Sequence, residues 1–159
     1  MKNTRTAQDI LQLARGFMES RLLLTAAELN LFTLLDEAPA TAAALAGRLP
    51  ADLRGLTILL DALAAMGLMM KTPDGAYRPA SDAAVYLNEK SPQSVLPMVL
   101  HANSLWKSWS SLTTKVTGSE PFAMRPAEIR CAEEIQAFIG AMHVVGLPMA
   151  RQIVKAVAI

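Results

Sequence analysis

Residues Thr41 to Ala80 read TAAALAGRLP ADLRGLTILL DALAAMGLMM KTPDGAYRPA, and the reading of this stretch decides the fold. Thr41 stands where an N-cap belongs, with Leu45 and Leu49 at helical spacing behind it and Pro50 placed to stop the helix. Asp52 is a second cap, followed by Leu53, Leu56, Leu60 and Leu63 at intervals of three and four. Gly67 falls just past the end of that helix, where a residue of positive φ is wanted. Leu68 to Thr72 and Ala76 to Arg78 are short enough to pair across the turn at Pro73-Asp74-Gly75. Helix, turn, longer helix and hairpin, in that order, make a winged helix.

A winged helix raises the question of DNA, and charge answers it. Arg48, Arg54, Lys71 and Arg78 face Asp52, Asp61 and Asp74, a net of +1 over the stretch. The second helix would be the reading helix, yet it presents outward only Arg54, Thr57 and Asp61. Affinity for a duplex comes first from Lys and Arg neutralising phosphates, and Asp52 and Asp61 would repel them. The expectation is a structural winged helix that binds no nucleic acid.

Working outward, the whole chain has 159 residues, a net charge of +1, 52% hydrophobic residues and a mean hydropathy of +0.28. Aromatics are only 5%, so the excess lies in Ala, Leu, Met and Val, a helical composition. So apolar a chain either enters a membrane or buries extra surface against a partner. Its longest uncharged run is Ile135 to Ala150, sixteen residues interrupted by His143 and Pro148. A spanning helix needs roughly 20, so partner burial is the expectation and no membrane is expected. The start, MKNTRTAQD, lacks the apolar core of a signal peptide. Cys131 is alone, and His101 and His143 have no ligand-spaced companions, so neither a disulfide nor a metal site is expected. A cytoplasmic home fits.

Before the winged-helix unit, Thr6 to Leu29 forms one long helical pattern with Gly16 its only weak point. Ile10, Leu13, Ala14 and Phe17 make one apolar stripe, and Leu11, Met18 and Leu22 a second beside it. Two stripes mean burial on more than one side. Asn30 should bend the chain into a short helix, Leu31 to Glu37, with Pro39 before the next unit. After the wing, Ser81 or Asp82 caps a helix through Leu87, and Ser91-Pro92 reads as another start, with Pro at the first helical position. Pro97 should break or kink the helix begun there. Leu105, Trp106, Trp109, Leu112 and Val116 mark a helix from Ala102 to Val116 that Gly118 ends. Glu120-Pro121-Phe122 opens an irregular link containing Pro126. Ala132 to Val145 is helical with Ile135, Phe138, Ile139 and Met142 on one face, and Leu147 to Ile159 comes next as a second segment that stops without a cap.

The order of a long first helix, AAELNLFTLL, LAGRLPADLRGLTILLDALAAMGLM, a wing, LWKSWSSLTTKVTGSEPF and FIGAM resembles the N-terminal dimerisation region of class I S-adenosylmethionine-dependent small-molecule O-methyltransferases. The resemblance covers nearly the whole chain. It implies a mainly α fold: a winged-helix-like domain with a small hairpin wing and additional long helices forming an intertwined dimer. It implies an arm over 1–40, a winged-helix unit over 41–90, and a dimerisation and substrate-lid segment over 91–159. In such enzymes a Rossmann-like domain comes next, and a methyl group passes from the cofactor's sulfonium to a hydroxyl of a small, often aromatic, substrate. This sequence departs there: its glycines are 16, 47, 55, 67, 75, 118, 140 and 146, no two separated by a single residue, so the Gly-x-Gly cofactor turn is missing. The expectation is a fragment that is not itself an enzyme, ends as if cut and binds no cofactor, its parent using S-adenosylmethionine.

By the same resemblance Trp106, Phe138, Met142 and His143 line the acceptor pocket. From the residues alone a Phe/Met stripe and a Trp pair at i and i+3 read as packing, and His143 as a solvent-facing or satisfied side chain. No constellation supports catalysis. The dimer interface is assigned to Ile10, Leu13, Phe17, Met18, Leu22 and Trp109, with homodimer and small-molecule substrate as the partners. Two other classes fit the outline: a dimeric winged-helix transcription regulator and a free-standing helical interaction protein.

Overall fold

The computed structural model describes residues 4–119 and 131–157. Contacts divide the chain into two units, Met1–Ala84 and Val85–Ile159.

The first unit begins with helix α1, Ala7–Glu28. A reciprocal capping box starts it: the Asp9 N–H donates to Thr6 Oγ1 at 3.2 Å and the Thr6 N–H to Asp9 Oδ2 at 2.8 Å. The Thr6 N–H, and then the Thr6 hydroxyl, which also donates to Asp9 Oδ2 at 2.8 Å, favour the ionised Asp9 carboxyl and hold it below its ordinary value. Asn30 takes the left-handed conformation at φ 52° and turns the chain into α2, Leu31–Glu37, as its sequence position suggests.

Strand β1, Ala40–Thr41, comes next. Thr41 then caps α3, Ala42–Ala46, by accepting from the Ala44 N–H. This helix stops three residues short of the expected Leu49. Gly47 takes its C-cap, and the Arg48 and Leu49 N–H groups both turn back onto the Leu45 carbonyl, so Pro50 follows a turn rather than a helix. Asp52 Oδ1 accepts from the Gly55 N–H at 2.7 Å and opens α4, Leu53–Ala65. The buried stripe of α4 is Leu56, Leu59, Leu60 and Leu63. Leu53, expected inside, is 50% exposed because the first turn reaches past the core, and Leu59 takes its place.

Gly67 at φ 76° ends α4, and Gly75 at φ 81° makes the turn between β2, Met69–Lys71, and β3, Ala76–Pro79. The register pairs Met69 with Pro79, Met70 with Arg78 and Lys71 with Tyr77. The sheet has a third strand that the sequence did not announce: β1 pairs antiparallel with β3, giving the order β1-β3-β2. Two residues are too short for any period to show. Phe32, Leu31, Leu35, Leu45, Leu60, Leu63 and Tyr77 are fully buried together, each large side chain contributing about 1.5–3 kcal/mol of transfer free energy.

Helix α5, Ser81–Leu87, crosses the boundary between units. In the second unit Ser91-Pro92 starts a turn and not a helix: the Gln93 N–H and Ser94 N–H close on Ser91. Helix α6, Leu96–Ser110, begins later and takes Pro97 into its first turn, where a missing N–H forfeits no helical bond. Pro97 therefore starts this helix instead of breaking it. The expected single helix to Val116 is interrupted at Ser111, after which α7 runs Leu112–Val116, and Gly118 at φ 71° closes it. The expected link at Glu120 to Pro126 lies outside the described residues.

Helix α8 is continuous from Ala132 to Val157, where two segments were expected. Pro148 sits inside it on an exposed face, and a single lost bond does not end a helix of this length. The buried face also differs. Ile135, Phe138, Ile139 and Met142 are all exposed, at 37–62%, while Ala137 and Ala141 are buried. Small residues let α6 and α8 approach closely: a Cβ built on Gly140 would stand 2.7 Å from Pro97 Cβ. As one helix of 26 residues, α8 is long and apolar enough to cross a membrane by length and composition, which corrects the sixteen-residue argument. An apolar helix destined for burial against protein passes the same test.

Candidate functional site

Among the described residues nothing covers the first half of α1. Residues 7–20 are all exposed, among them Ile10 at 57%, Leu13 at 66%, Phe17 at 54% and Met18 at 52%. Burial begins only at Leu24, Ala26 and Ala27. Five of the six residues assigned to the dimer interface lie on this helix, Leu22 alone of them half-buried. The sixth, Trp109 on α6, is 69% exposed. Burial on more than one side, expected from the two stripes, is therefore found within the described chain only in the second half of α1.

Phe17, Met18 and Leu22 come together with Arg21, Thr25 and Leu29 as one wall of an open groove of about 600 Å³. The other wall is α4 with the residue before it: Ala51, Asp52, Gly55, Leu56, Ile58 and Leu59. Arg21 and Asp52 are its only charged residues, and Arg21 meets Glu28 at 3.5 Å. The α4 wall was missed in the sequence because Leu56 read as core, while Ile58 and Leu59 fall off the stripe that was read. An exposed Ile one residue before a buried pair was the available signal.

On the opposite flank of α4, Asp61 Oδ1 accepts two hydrogen bonds of 2.7 Å, from Lys71 Nζ and from the Tyr77 hydroxyl. Lys71 Nζ also lies 5.0 Å from the centre of the Tyr77 ring. The Lys71 bond, then the Tyr77 bond, lowers the Asp61 carboxyl below its ordinary value, and the same contact with Asp61 raises Lys71. Burial raises the Tyr77 phenol. One of the four cations between Thr41 and Ala80, Lys71, is thus engaged with an acid, and the others are Arg48, Arg54 and Arg78.

Of the pocket residues, Phe138 packs edge-on against His101, centroids 5.3 Å apart at 66°. His101, which the pocket assignment omitted, stands on α6 one helical turn beyond Pro97. Trp106 is half-buried, and Met142 and His143 are exposed on α8. Among the described residues no three His, Cys, Asp or Glu side chains gather as metal ligands. Every strand pair among them is antiparallel.

Residues 11–89 match the O-methyltransferase dimerisation domain, and this part of the chain belongs to that family. Over 105 residues the chain is 43% identical to a human probable bifunctional dTTP/UTP pyrophosphatase/methyltransferase protein, spanning 65% of this chain and 16% of the relative. It is 33% identical over 113 residues to rat acetylserotonin O-methyltransferase, 70% of this chain and 26% of that one. The structure of human N-acetylserotonin methyltransferase in complex with SAM superposes with a TM-score of 0.75 at 28% identity, covering 98% of this chain and 50% of that one. The chain thus spans half or less of the length of each of these three proteins.

Proposed function

We propose that this chain is the dimerisation and substrate-lid region of a homodimeric, S-adenosylmethionine-dependent O-methyltransferase acting on a small, aromatic hydroxyl compound in the cytoplasm. The helical arm, the winged-helix unit and the α6–α8 pair divide the work: the first two hold the dimer, and the third closes over the acceptor with Phe138, Met142, His143 and Trp106. The observation that carries the reading is the exposed apolar first half of α1 beside an apolar groove. Patches of that extent are rare on monomers and mark interfaces. The relatives' names and the SAM in a solved relative support the choice of reaction.

The winged-helix outline serves the dimer and reads no DNA in this proposal, as the Asp61–Lys71 pair and the modest charge balance support. Multi-angle light scattering of the purified chain tests the reading. A dimer at tens of micromolar is expected, and a monomer there would overturn it.

A further inference from the structure

We infer that α8 is hinged at Val144 to Pro148: its first half stays fixed on α6, while the end from Met149 to Val157 changes angle as one rod. The inference is independent of the reaction and of the dimer. It concerns α6 and α8 alone, both in the second unit.

The first half of α8 is clamped by close packing. Ala137 and Ala141 are buried, and Gly140 comes so near α6 that an added Cβ would stand 2.7 Å from Pro97 Cβ. Phe138 meets His101 edge-on, with ring centroids 5.3 Å apart. The last residues of α8 with partial cover are Val144 and Leu147. Residues 148–157 are all exposed, so among the described residues α8 has lateral support up to that point and none beyond it.

Two residues weaken the helix where that support ends. Pro148 has no N–H for the Val144 carbonyl one turn back, and its ring crowds that carbonyl. Gly146, inside the same turn, lacks the side chain that narrows backbone freedom, and nothing stands within 4 Å of the Cβ it would carry. Sharp bends in helices fall at Pro and at small residues placed so. Val157 stands about 14 Å beyond Pro148 by helical rise, so a bend of about 20° moves it by about 5 Å. Phe138, Met142 and His143 lie on the clamped side and do not share the movement. The hinge thus lets the end of α8, with Met149, Ile153 and Val154 exposed, take more than one angle while those three residues keep their place.

The test uses the full chain carrying Cys131→Ser, with pairs of spin labels on introduced cysteines, diluted into unlabelled chain so that each distance lies within one copy. Ala102→Cys with Gln136→Cys reports on the clamped half, and Ala102→Cys with Gln152→Cys reads across the hinge; all three positions are exposed. Double electron–electron resonance should give the second pair a distance distribution roughly twice as wide as the first, or wider. Gly146→Ala combined with Pro148→Ala should narrow the second distribution to the width of the first and leave the first unchanged. Both substitutions favour helix, so circular dichroism should show helix content held or raised. A second distribution as narrow as the first before the alanines are introduced overturns the inference. So does a wide one that the alanines leave wide, since fraying of the last turns is then its source.

Discussion

The Tyr77 hydroxyl donates to Asp61 Oδ1 at 2.7 Å, tying the central strand of the sheet to the outer flank of α4. Tyr77 is also among the most completely buried side chains, so its ring anchors the core while its hydroxyl reaches the surface. Changing Tyr77 to Phe keeps the ring and removes the bond. The expected cost is about 1 kcal/mol, the net worth of such a bond, measured by urea unfolding.

The same cluster sets a pH dependence. Asp61 has a folded value below its ordinary 3.8, so its contribution is present above that value and lost as pH falls through the lower, folded one. Lys71 is raised above 10.5, so its share is full below that and lost as pH rises through the folded value. The difference in melting temperature between wild type and Asp61→Asn should stay flat across the neutral range and shrink in acid. A difference that grows on acidification would contradict the assignment.

Nucleic acid is a third matter for measurement. With Lys71 engaged by Asp61, the stretch from Thr41 to Ala80 offers Arg48, Arg54 and Arg78 against Asp52 and Asp74. Anisotropy titration of labelled duplex at low salt should reveal no submicromolar binding. Tight binding with a steep salt slope would restore the regulator reading.

Two glycines of α8 should respond with opposite signs. A Cβ at Gly140 would stand 2.7 Å from Pro97 Cβ, so Gly140→Ala must push α6 and α8 apart, at a cost of about 1–3 kcal/mol. Gly146 has nothing within 4 Å of its built Cβ, so Gly146→Ala should stabilise the helix by about 0.5–1 kcal/mol. Chemical unfolding followed by circular dichroism distinguishes them, and equal shifts would mean that the α6–α8 contact is looser than described.

That glycine pair also shows where reading the sequence succeeded and where it stopped. The caps at Thr41 and Asp52 were legible because each is a local arrangement, with Ala44 and with Gly55, whereas the capping box of Thr6 with Asp9 went unread. The positive-φ turns at Asn30, Gly67, Gly75 and Gly118 are local too. Prolines were misread because their effect depends on position within a helix. Pro97 in a first turn spares the helix it was expected to break or kink, and Ser91-Pro92 opens a turn where a helix start was expected. Which apolar stripe meets the core is not local at all. Ala137 and Ala141 are buried and Ile139 is not, because α6 approaches through Gly140. The groove stayed hidden for the same reason, since its walls are 22 or more residues apart in the chain and only the fold joins them.

The last prediction concerns Phe17, which belongs both to the uncovered arm of α1 and to the groove wall. In the isolated chain its ring is 54% exposed, so Phe17→Glu removes little from the chain's own packing and leaves the capping box of Thr6 and Asp9 untouched. Helix content and unfolding midpoint of the monomer should therefore hardly change. In a dimer the position is enclosed, and a carboxylate there would lose its water without gaining a partner, a cost of several kcal/mol. The ring's own burial, worth about 1.5–3 kcal/mol, is lost as well, and a two-fold contact suffers both changes twice. Light scattering should find wild type dimeric and Phe17→Glu monomeric at tens of micromolar. The dimer of the variant should return at low pH as the glutamate protonates, because the neutral acid no longer carries the buried charge. A Phe17→Glu dimer as tight as wild type at neutral pH would place the interface away from this helix, with Trp109 on α6 the next position to change.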